Sequence, residues 1–493
     1  MLRAIDAVSG GVLLGMAVLA PWMLGTTTRE TSWVLNGLGF LSGGLWLARH
    51  LLGRRRGSSA GARSGTGTAA RRSAEAPGVP AGSGSSWPMV CVWGLVVTLL
   101  AYVLCSALNP RASLQYTFTE GHPLPTGVEI ESLEAIEGLP QTHDRDRTLW
   151  AFWKYLAIAI SFGAARDWLM GASRRERRAG DEAAHFPTDR MQWLLWTLSL
   201  SSAALALEGM LQRLDGTPRL LWTFVNTLNA GHGAFGPYPY RSNGAQYLNL
   251  MWPVILGFWW VLRRRNVARR TAAHRSGGDP HVLLLVLAAL TAAGVVVANS
   301  RGGVLVLVGL LVSVVVLVVV RTRRQWGFKL AVLATSLSVL ALGGWLGGEA
   351  IWKRFSSEDL GSMSGRKLIY ADTFRMAKDF AVFGSGAETF SPLYFFYRKD
   401  DPSWNAYVHD DFLETWVTFG GVGLGLIVLV FLALWLVAFF GKGIPAPPEF
   451  LLMLGVAMAG ILAHAKFDFP FQVHSLHFEF VLLCALLTSL KWR

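Results

Sequence analysis

Long apolar blocks alternate with short polar segments along most of the chain. The blocks run for roughly 17 to 24 residues, about the length that an α-helix needs to cross ~30 Å of hydrocarbon. Membrane barrels are built instead from shorter segments of alternating polarity, and the sequence shows no such series. Because lipid offers no hydrogen bonds to an exposed backbone, the pattern predicts an all-α, polytopic integral membrane protein.

Twelve apolar blocks are predicted to span the membrane. They are 7–24, 33–52, 89–108, 149–170, 191–211, 245–262, 282–298, 304–320, 328–346, 417–440, 450–465 and 476–490. The first block follows a charged start, as in a signal peptide, but no small-residue cleavage site precedes a soluble domain. We therefore interpret this block as the first span.

Arginines cluster in the polar segments that follow even-numbered blocks. The clusters contain Arg54, Arg55, Arg56, Arg63, Arg71 and Arg72; Arg174, Arg175, Arg177 and Arg178; Arg263, Arg264, Arg265, Arg269 and Arg270; and Arg321, Arg323 and Arg324. Cytoplasmic loops of membrane proteins are enriched in Lys and Arg. All four clusters can therefore be cytoplasmic at once, which predicts that both termini are cytoplasmic too.

The same pattern divides the chain into five segments. Residues 1–52 hold two transmembrane helices, and residues 53–88, rich in Gly, Ser, Ala and Arg, are predicted to be a disordered basic cytoplasmic linker. Residues 89–346 hold spans three to nine, and 417–493 hold the last three. Between these lies 347–416, a large periplasmic loop rich in aromatic residues, which disordered segments lack. We expect this loop to form a partly helical cap over the outer mouth.

Composition excludes several classes of protein. Of 493 residues, 52% are hydrophobic and only 16% are charged, which is too apolar for a soluble enzyme. The net charge of +13 sits in loop clusters and not on one amphipathic face, so a nucleic-acid partner is not expected. Cys91, Cys105 and Cys484 all lie inside apolar blocks, which leaves neither a disulfide framework nor a zinc cluster.

Ionisable residues within or beside the blocks fall toward their predicted outer ends. They are Lys154, Glu208, His464, Lys466, Asp468 and Glu479. A transporter carries such groups near mid-depth, where its helices are broken, whereas the midplane here is almost purely Leu, Val and Ala. The distribution therefore favours chemistry at the outer interface.

Three predicted outer segments carry polar side chains at the start of a span. Segment 238–249 contains Arg241 and Asn243; segment 299–303 is a tight turn with Arg301; and segment 409–423 opens with His409, Asp410 and Asp411 and continues to Glu414. The turn at 299–303 is so short that Arg301 is expected at the membrane surface.

With these residues in this order, the chain resembles the O-antigen ligase family of bacterial membrane glycosyltransferases, which includes polymerase-like members. The resemblance covers roughly residues 212–470. Ser300-Arg301-Gly302 follows one span, Gly365-Arg366 and Phe383-Gly-Ser-Gly386 lie in the long outer loop, and the motif that begins at His409 runs into Gly420-x-x-Gly423. Two positions depart from the family pattern: Asp410 stands where Asn is common, and Thr418 where Glu is common.

The resemblance implies transfer of a glycan from an undecaprenyl-diphosphate carrier to a hydroxyl acceptor, at the periplasmic face of the bacterial inner membrane. The acceptor would be lipid A core or another glycan, and neither a metal nor a nucleotide cofactor is implied. The catalytic role falls on His409 and diphosphate binding on Arg241, Arg301 and Arg366. Possible supporting residues are Asp410, Asp411, Glu414, Asn243, Lys466 and Asp468.

The chemistry of the residues supports the same roles. Negative charge develops on the diphosphate as its glycosidic bond breaks, and guanidinium groups bind phosphate oxygens in pairs without losing their own charge. An acceptor hydroxyl must also lose a proton, for which imidazole has a suitable pKa. Direct displacement at the anomeric carbon would invert its configuration.

Alternative functions remain open on the sequence alone. A polysaccharide polymerase uses the same donor but takes another lipid-linked repeat as acceptor. A lipid or glycan transporter would carry out no chemistry; a closed outward-facing pocket that contains His409 and Arg301 would favour transfer instead.

Two further motifs carry weaker alternatives. Asp144 and Asp146 could hold a metal ion, but Arg145 and Arg147 beside them would oppose a cation. Residues 384–386 resemble a fragment of a phosphate-binding loop, but neither a P-loop Lys nor a strand–helix pattern accompanies them.

The Arg clusters generate a test of topology. Single cysteines at Ser58 and Ser276 should be protected from a membrane-impermeant thiol reagent in intact cells, whereas cysteines at Thr126 and Ser391 should react. Labelling at Ser58 in intact cells would contradict the scheme, because Ser58 follows the first basic cluster.

Overall fold

A computed structural model describes residues 1–61, 87–118, 126–173, 175–176, 186–226, 233–273, 280–321, 326–356, 360–399, 404 and 406–492. The described part of the chain is mostly helical, with 75% of its residues in helix and 14 helices. These are α1 (Leu2–Trp22), α2 (Arg29–Gly61), α3 (Trp87–Leu108), α4 (Arg145–Met170), α5 (Asp189–Asp215), α6 (Arg241–Ala273), α7 (Leu283–Val297), α8 (Arg301–Arg321), α9 (Trp326–Ser356), α10 (Leu360–Asp379), α11 (Phe390–Tyr397), α12 (Asp411–Phe440), α13 (Pro448–Ala465) and α14 (His474–Thr488).

Each of the twelve predicted spans overlaps one of these helices. Within the described residues, nine helices are long and apolar enough to cross a membrane, namely α1, α3, α4, α5, α6, α8, α9, α12 and α13. Helices α7 and α14 are apolar but shorter, at 15 residues each, and predicted span 33–52 lies in α2. The chain is therefore a multi-pass membrane protein, while the count of twelve crossings stays a prediction.

Helix α6 lies at the centre of the bundle. The window of this helix that could cross a membrane is 100% buried, and it packs against α5, α7, α8 and α13. Its side chains there include Trp252, Phe258 and Trp259, each at most 3% exposed. A helix that is apolar on all sides is normally buried among neighbours. The buried window begins at Arg241, so the start of α6 is also surrounded by other elements.

The ends of several elements differ from the sequence prediction. Helix α2 continues past Leu52 to Gly61, so the predicted linker 53–88 begins as helix, and its residues 62–86 lie outside the described part of the chain. The segment between α3 and α4, expected as a loop, contains an antiparallel hairpin of β1 (Ala112–Thr117) and β2 (Gly127–Ser132). A second small sheet pairs β3 (Ile444–Ala446) with β4 (Leu490–Trp492) in parallel.

The predicted loop 347–416 contains two helices of its own, α10 and α11, as well as the end of α9. Its aromatic residues form a small core with the start of α12, in which Met376, Phe390, Tyr394, Val408 and Val417 are buried. The partly helical character of the segment is thus confirmed. Its aromatic side chains are buried where α10 and α11 pack against α12. Its placement over an outer mouth stays a prediction.

Two glycines fix this segment to α12. Gly420 interrupts the helix with φ +61° and ψ −176°, and Gly384, with φ +72°, lies against it. A Cβ on Gly384 would collide with the carbonyl of Thr418, and one on Gly420 with the carbonyl of Val382. Only glycine allows both the backbone conformation and this close approach.

The interruption exposes backbone groups of α12, which pair with segment 381–386. Ser385 and Gly386 donate from their backbone N–H groups to the carbonyls of Val417 and Thr418 at 2.9 and 3.0 Å. On the other side of the kink, the N–H of Gly421 donates to the Ala381 carbonyl at 2.8 Å. The loop segment is therefore held by backbone hydrogen bonds to the helix that follows His409.

A Gly420→Ala substitution should destabilise the protein. The conformation at this position is essentially restricted to glycine, at a cost on the order of 1–3 kcal/mol for other residues, and the new Cβ adds the collision described above. Gly425→Ala is a matched control, because a Cβ there meets nothing within 4 Å. Thermal unfolding in detergent should show a clear loss for Gly420→Ala and none for Gly425→Ala; equal midpoints would contradict this account of the kink.

Candidate functional site

His409 lies in the turn just ahead of α12. Its backbone is left-handed, with φ +59°, a conformation that is uncommon for a residue with a side chain. The hydroxyl of Tyr370 on α10 donates to the His409 carbonyl at 3.0 Å. The next residue, Asp410, caps α12 by accepting from the N–H groups of Phe412 and Leu413, both at 3.2 Å. These contacts fix the direction in which the imidazole leaves the backbone.

The imidazole is paired with a buried carboxylate. Nδ1 of His409 lies 3.0 Å from Oδ1 of Asp468, a side chain that is 3% exposed. Burial by itself would raise the pKa of Asp468, but the hydrogen bond from His409 and the electrostatic effect of its ring hold it below the ordinary value. Since Nδ1 is engaged, Nε2 is the ring nitrogen left to act as a base.

Residues of the α13–α14 connection make further bonds to the start of α12. Lys466 lies 2.5 Å from Asp410, and Asp411 accepts from the backbone N–H of Phe471 at 2.8 Å and from the side chain of Gln472 at 3.2 Å. The α13–α14 connection therefore contacts His409 through Asp468 and the next two residues, Asp410 and Asp411, through Lys466, Phe471 and Gln472. The structure thus brings four of the predicted supporting residues, Asp410, Asp411, Lys466 and Asp468, around the imidazole or its helix.

Glu414 has a different position. It is 4% exposed, and its carboxylate accepts from the backbone N–H of Val408 at 3.0 Å. This contact joins the first turn of α12 to Val408, the residue before His409. Glu414 therefore stabilises the backbone turn that contains His409.

Aromatic rings surround the imidazole. The ring of Phe469 lies 4.9 Å from that of His409 in an edge-to-face arrangement, and Tyr407 and Tyr240 stack on Phe469 at 4.2 and 5.5 Å. Burial, and then Asp468, raise the pKa of Tyr240 to about 12, so this phenol stays neutral at physiological pH. The rings exclude water from one side of the His409–Asp468 pair.

Arg241 and Arg301 are the first residues of α6 and α8, and the two helix starts lie side by side. The hydroxyls of Ser242 and Ser300 are 2.8 Å apart, and the Asn249 side chain donates to the Gly303 carbonyl at 2.9 Å. The Ser242 hydroxyl also contributes to lowering the pKa of Asp468. The paired helix starts therefore lie near the carboxylate that holds His409.

Arg366 comes from the opposite direction, on α10. Its guanidinium donates to the Phe467 carbonyl at 3.3 Å, in the same short connection that carries Lys466 and Asp468. Arg366 therefore contacts this connection directly, while Arg241 and Arg301 begin the helices whose Ser242 and Ser300 hydroxyls meet.

A cavity of about 970 Å³ opens on His409. Its wall includes Asn243, which was predicted as supporting, and several residues that the sequence analysis did not place in a site: Arg29, Tyr116, Arg147, Trp150, Lys154, Glu388, Tyr407 and His474. Among the residues that the structure describes, none of the three arginines lines the cavity. The expected pocket shared by His409 and Arg301 is thus not found in that form.

Sequence signals for the missed residues were weak. Lys154 stood out as a charge in an apolar block, and Glu388 lies two residues beyond Gly386 of the loop motif. Their pairing, with the Lys154 ammonium in contact with the Glu388 carboxylate, joins α4 to the turn ahead of α11. No spacing rule in the sequence indicates a contact over that separation.

Asp144, considered above for a metal site, is occupied by protein contacts. It accepts from the backbone N–H of Arg147 at 3.0 Å as the cap of α4, and from the Tyr116 hydroxyl at 3.0 Å. Arg147 also lies 3.3 Å from its carboxylate. Within the described residues, no group of three or more His, Cys, Asp or Glu could hold a metal ion.

Comparison with known proteins identifies one family. The model described as O-antigen ligase matches residues 284–428, a region that contains Arg301, Arg366 and His409 but ends before Lys466 and Asp468. No curated protein matches the chain. The family match confirms the resemblance that the sequence motifs indicated.

The His409–Asp468 pair predicts a particular pH dependence of stability. Because the pKa of Asp468 is lowered in the folded protein, its ionised form stabilises the fold above the ordinary pKa of about 3.9 and loses this effect as the pH falls through the lower folded value. Asp468→Asn should therefore cost about 1.5–3 kcal/mol near pH 7, the range for a charged hydrogen bond. The difference from the unmodified protein should shrink in acid.

Thermal unfolding of both proteins between pH 3 and pH 8 measures this difference. Asp146→Asn, at an exposed carboxylate, serves as the control and should change little at any pH. A difference for Asp468→Asn that stays constant down to pH 3 would show that the carboxylate is not held ionised by His409.

Proposed function

We propose that this chain, whose residues 284–428 match the family model described as O-antigen ligase, transfers a glycan from an undecaprenyl-diphosphate carrier to a hydroxyl acceptor at the periplasmic face of the bacterial inner membrane. The family match supports a glycosyltransferase-type enzyme with a lipid-linked glycan and an acceptor as substrates. The observation that carries the finer proposal is the pairing of buried Asp468 with His409 beside two arginine-bearing helix starts.

His409 acts as the general base. A carboxylate on Nδ1 holds an imidazole in one tautomer and stabilises the imidazolium that forms when Nε2 accepts a proton, as in the Asp–His pairs of hydrolases. Asp468 is placed for this role at 3.0 Å, and it is a positioning residue because it acts through His409. The aromatic surroundings strengthen the pair by lowering the local dielectric constant.

Arg241 and Arg301 bind the diphosphate. Helix N-termini present unpaired backbone N–H groups and a partial positive charge, which favour phosphate groups. Here two such termini lie together through the Ser242–Ser300 contact of 2.8 Å, and each begins with an arginine. Arg366 adds a third guanidinium from α10, so charge stabilisation does not require a metal or nucleotide cofactor.

The reaction is one displacement. The acceptor oxygen forms a bond to the anomeric carbon while the bond from that carbon to the diphosphate oxygen breaks, and the configuration inverts. The hydroxyl proton passes to Nε2 of His409, and the electron pair of the broken bond leaves with undecaprenyl diphosphate. The arginines stabilise the charge that grows on this leaving group.

A polymerase carries out the same step with another lipid-linked repeat as acceptor, and the residues above serve both reactions equally. Structural analysis of surface glycans from a deletion strain separates the two. Loss of polymer from the lipid A core indicates a ligase, whereas single repeats in place of chains indicate a polymerase.

Substitutions at Arg301 and His409 should separate binding from chemistry. Arg301→Ala should weaken undecaprenyl-diphosphate binding and lower turnover by roughly 10²-fold or more, the effect of losing one preorganised donor. Lys at this position should recover only part of the activity, because it lacks the planar paired geometry. His409→Ala should leave donor binding nearly intact and lower turnover by about 10² to 10⁴-fold.

The measurement is donor affinity beside single-turnover transfer by folded, detergent-purified proteins. Arg321→Ala is a matched control, because Arg321 is the last residue of the helix that Arg301 begins and should affect neither quantity. Transfer by His409→Ala at the unmodified rate would mean that the imidazole is structural and that this mechanism is wrong.

A further inference from the structure

Two residues that line the cavity beside His409 carry polar side-chain atoms without a hydrogen-bond partner in the described protein. Asn243 and His474 are 2% and 3% exposed and both line the cavity. The Asn243 side-chain oxygen and Nδ1 of His474 have no hydrogen-bond partner within the described part of the protein. Buried polar atoms of this kind are normally satisfied, so the polar capacity of these two wall residues is not used up by contacts within the described protein.

Glu388 is held rigidly in the same wall. Its side chain contacts the Lys154 ammonium, with exposures of 22% for Glu388 and 4% for Lys154. Its backbone is left-handed, at φ +65°, which is costly for Glu and is found most often at ligand-binding and active sites. Since a buried ion pair is weak evidence of stabilisation, the arrangement is better explained by recognition.

Charges of both signs line the cavity. Arg29, Arg147 and Lys154 are matched by Asp144, Asp146 and Glu388, so the wall offers no net attraction to a diphosphate. It offers instead hydrogen-bond donors and acceptors between the aromatic side chains of Tyr116, Trp150, Tyr240 and Tyr407. A neutral ligand with many hydroxyls and flat apolar faces fits this chemistry.

None of the three arginines lines the cavity among the described residues. One part of its wall, with Tyr240, Asn243 and Phe469, adjoins the helix start of Arg241 and the α13–α14 connection, and the other part comes from α2, α4, strand β1 and the turn at Glu388. His409 joins the two parts, because it lines the cavity and bonds Asp468. A base at such a junction can meet a donor from one side and an acceptor from the other.

We propose that this cavity is the acceptor subsite, that its ligand is a hydroxyl-rich glycan, and that Glu388 is a positioning residue that accepts a hydrogen bond from a glycan hydroxyl beside His409. The inference rests on the proposed function, since it assigns the second substrate of that reaction. It also implies that acceptor choice depends on α2 and α4, which lie outside the family-matched region 284–428.

Equilibrium binding to the full-length protein in detergent tests the proposal with two kinds of probe. One probe is undecaprenyl diphosphate, which carries no sugar. The other is a water-soluble oligosaccharide that carries no lipid or diphosphate. Two such oligosaccharides are tested in separate arms of the experiment: delipidated lipopolysaccharide core and the repeat unit of the polymer. At least one oligosaccharide should bind the unmodified protein, and the arm that binds identifies the acceptor.

Glu388→Gln should weaken oligosaccharide binding about tenfold or more, as expected for loss of a hydrogen bond to a charged group, and leave undecaprenyl-diphosphate binding unchanged. Arg301→Ala should do the reverse. The exposed Asp146→Asn gives a second test of the cavity wall in case Glu388→Gln unfolds, and should also weaken only the oligosaccharide. Glu137→Gln, at an exposed carboxylate outside the cavity, is the matched control.

In transfer assays Glu388→Gln should raise the KM for acceptor and retain kcat at saturating acceptor. The proposal is overturned if neither oligosaccharide binds the unmodified protein, or if both cavity variants bind oligosaccharide normally. Failure of the proposed function looks different: the oligosaccharide would bind in a Glu388-dependent way, yet no glycan would move from the lipid diphosphate.

Discussion

The crossing of Gly384 over Gly420 is the contact on which the arrangement of this site depends. It interrupts α12 just beyond its first two turns. Backbone groups of α12 that lose their helical hydrogen bonds there pair instead with segment 381–386. The Tyr102 hydroxyl lies 2.7 Å from the carbonyls of both Phe383 and Phe419, so α3 joins the same junction. Because His409 precedes α12 and Glu388 follows segment 381–386, this backbone contact helps to set the position of His409 relative to Glu388 in the cavity wall.

A second constraint comes from the membrane. Polar groups are costly in hydrocarbon, so the reactive residues are concentrated where helices begin or end. Arg241 and Arg301 begin α6 and α8, His409 precedes α12, and Asp468 follows α13. The buried membrane-length part of α6 is the frame for this arrangement, because α5, α7, α8 and α13 all pack against that helix.

Charge is distributed unevenly around His409. Arginines begin the neighbouring helices α6 and α8, whereas the cavity beside His409 is lined by charges of both signs and by aromatic rings. Under the proposed function, the arginines would favour a leaving group that gains negative charge, and the cavity would accommodate a neutral glycan. Donor binding and acceptor choice would then rest on different elements of the fold.

The sequence alone determined the membrane class, the approximate position of the helices that overlap the twelve predicted spans, and the motif residues, because hydropathy and short-range turn chemistry act locally along the chain. It also indicated His409, Arg301 and Arg366 through their order around the long loop. It did not show the β1–β2 hairpin, and it did not reveal that Lys154 meets Glu388 or that Arg29 and His474 share a cavity. Those contacts were decided only by tertiary structure, since they depend on how α2, α4 and α14 pack, and packing joins residues whose separation in the sequence carries no periodic signal.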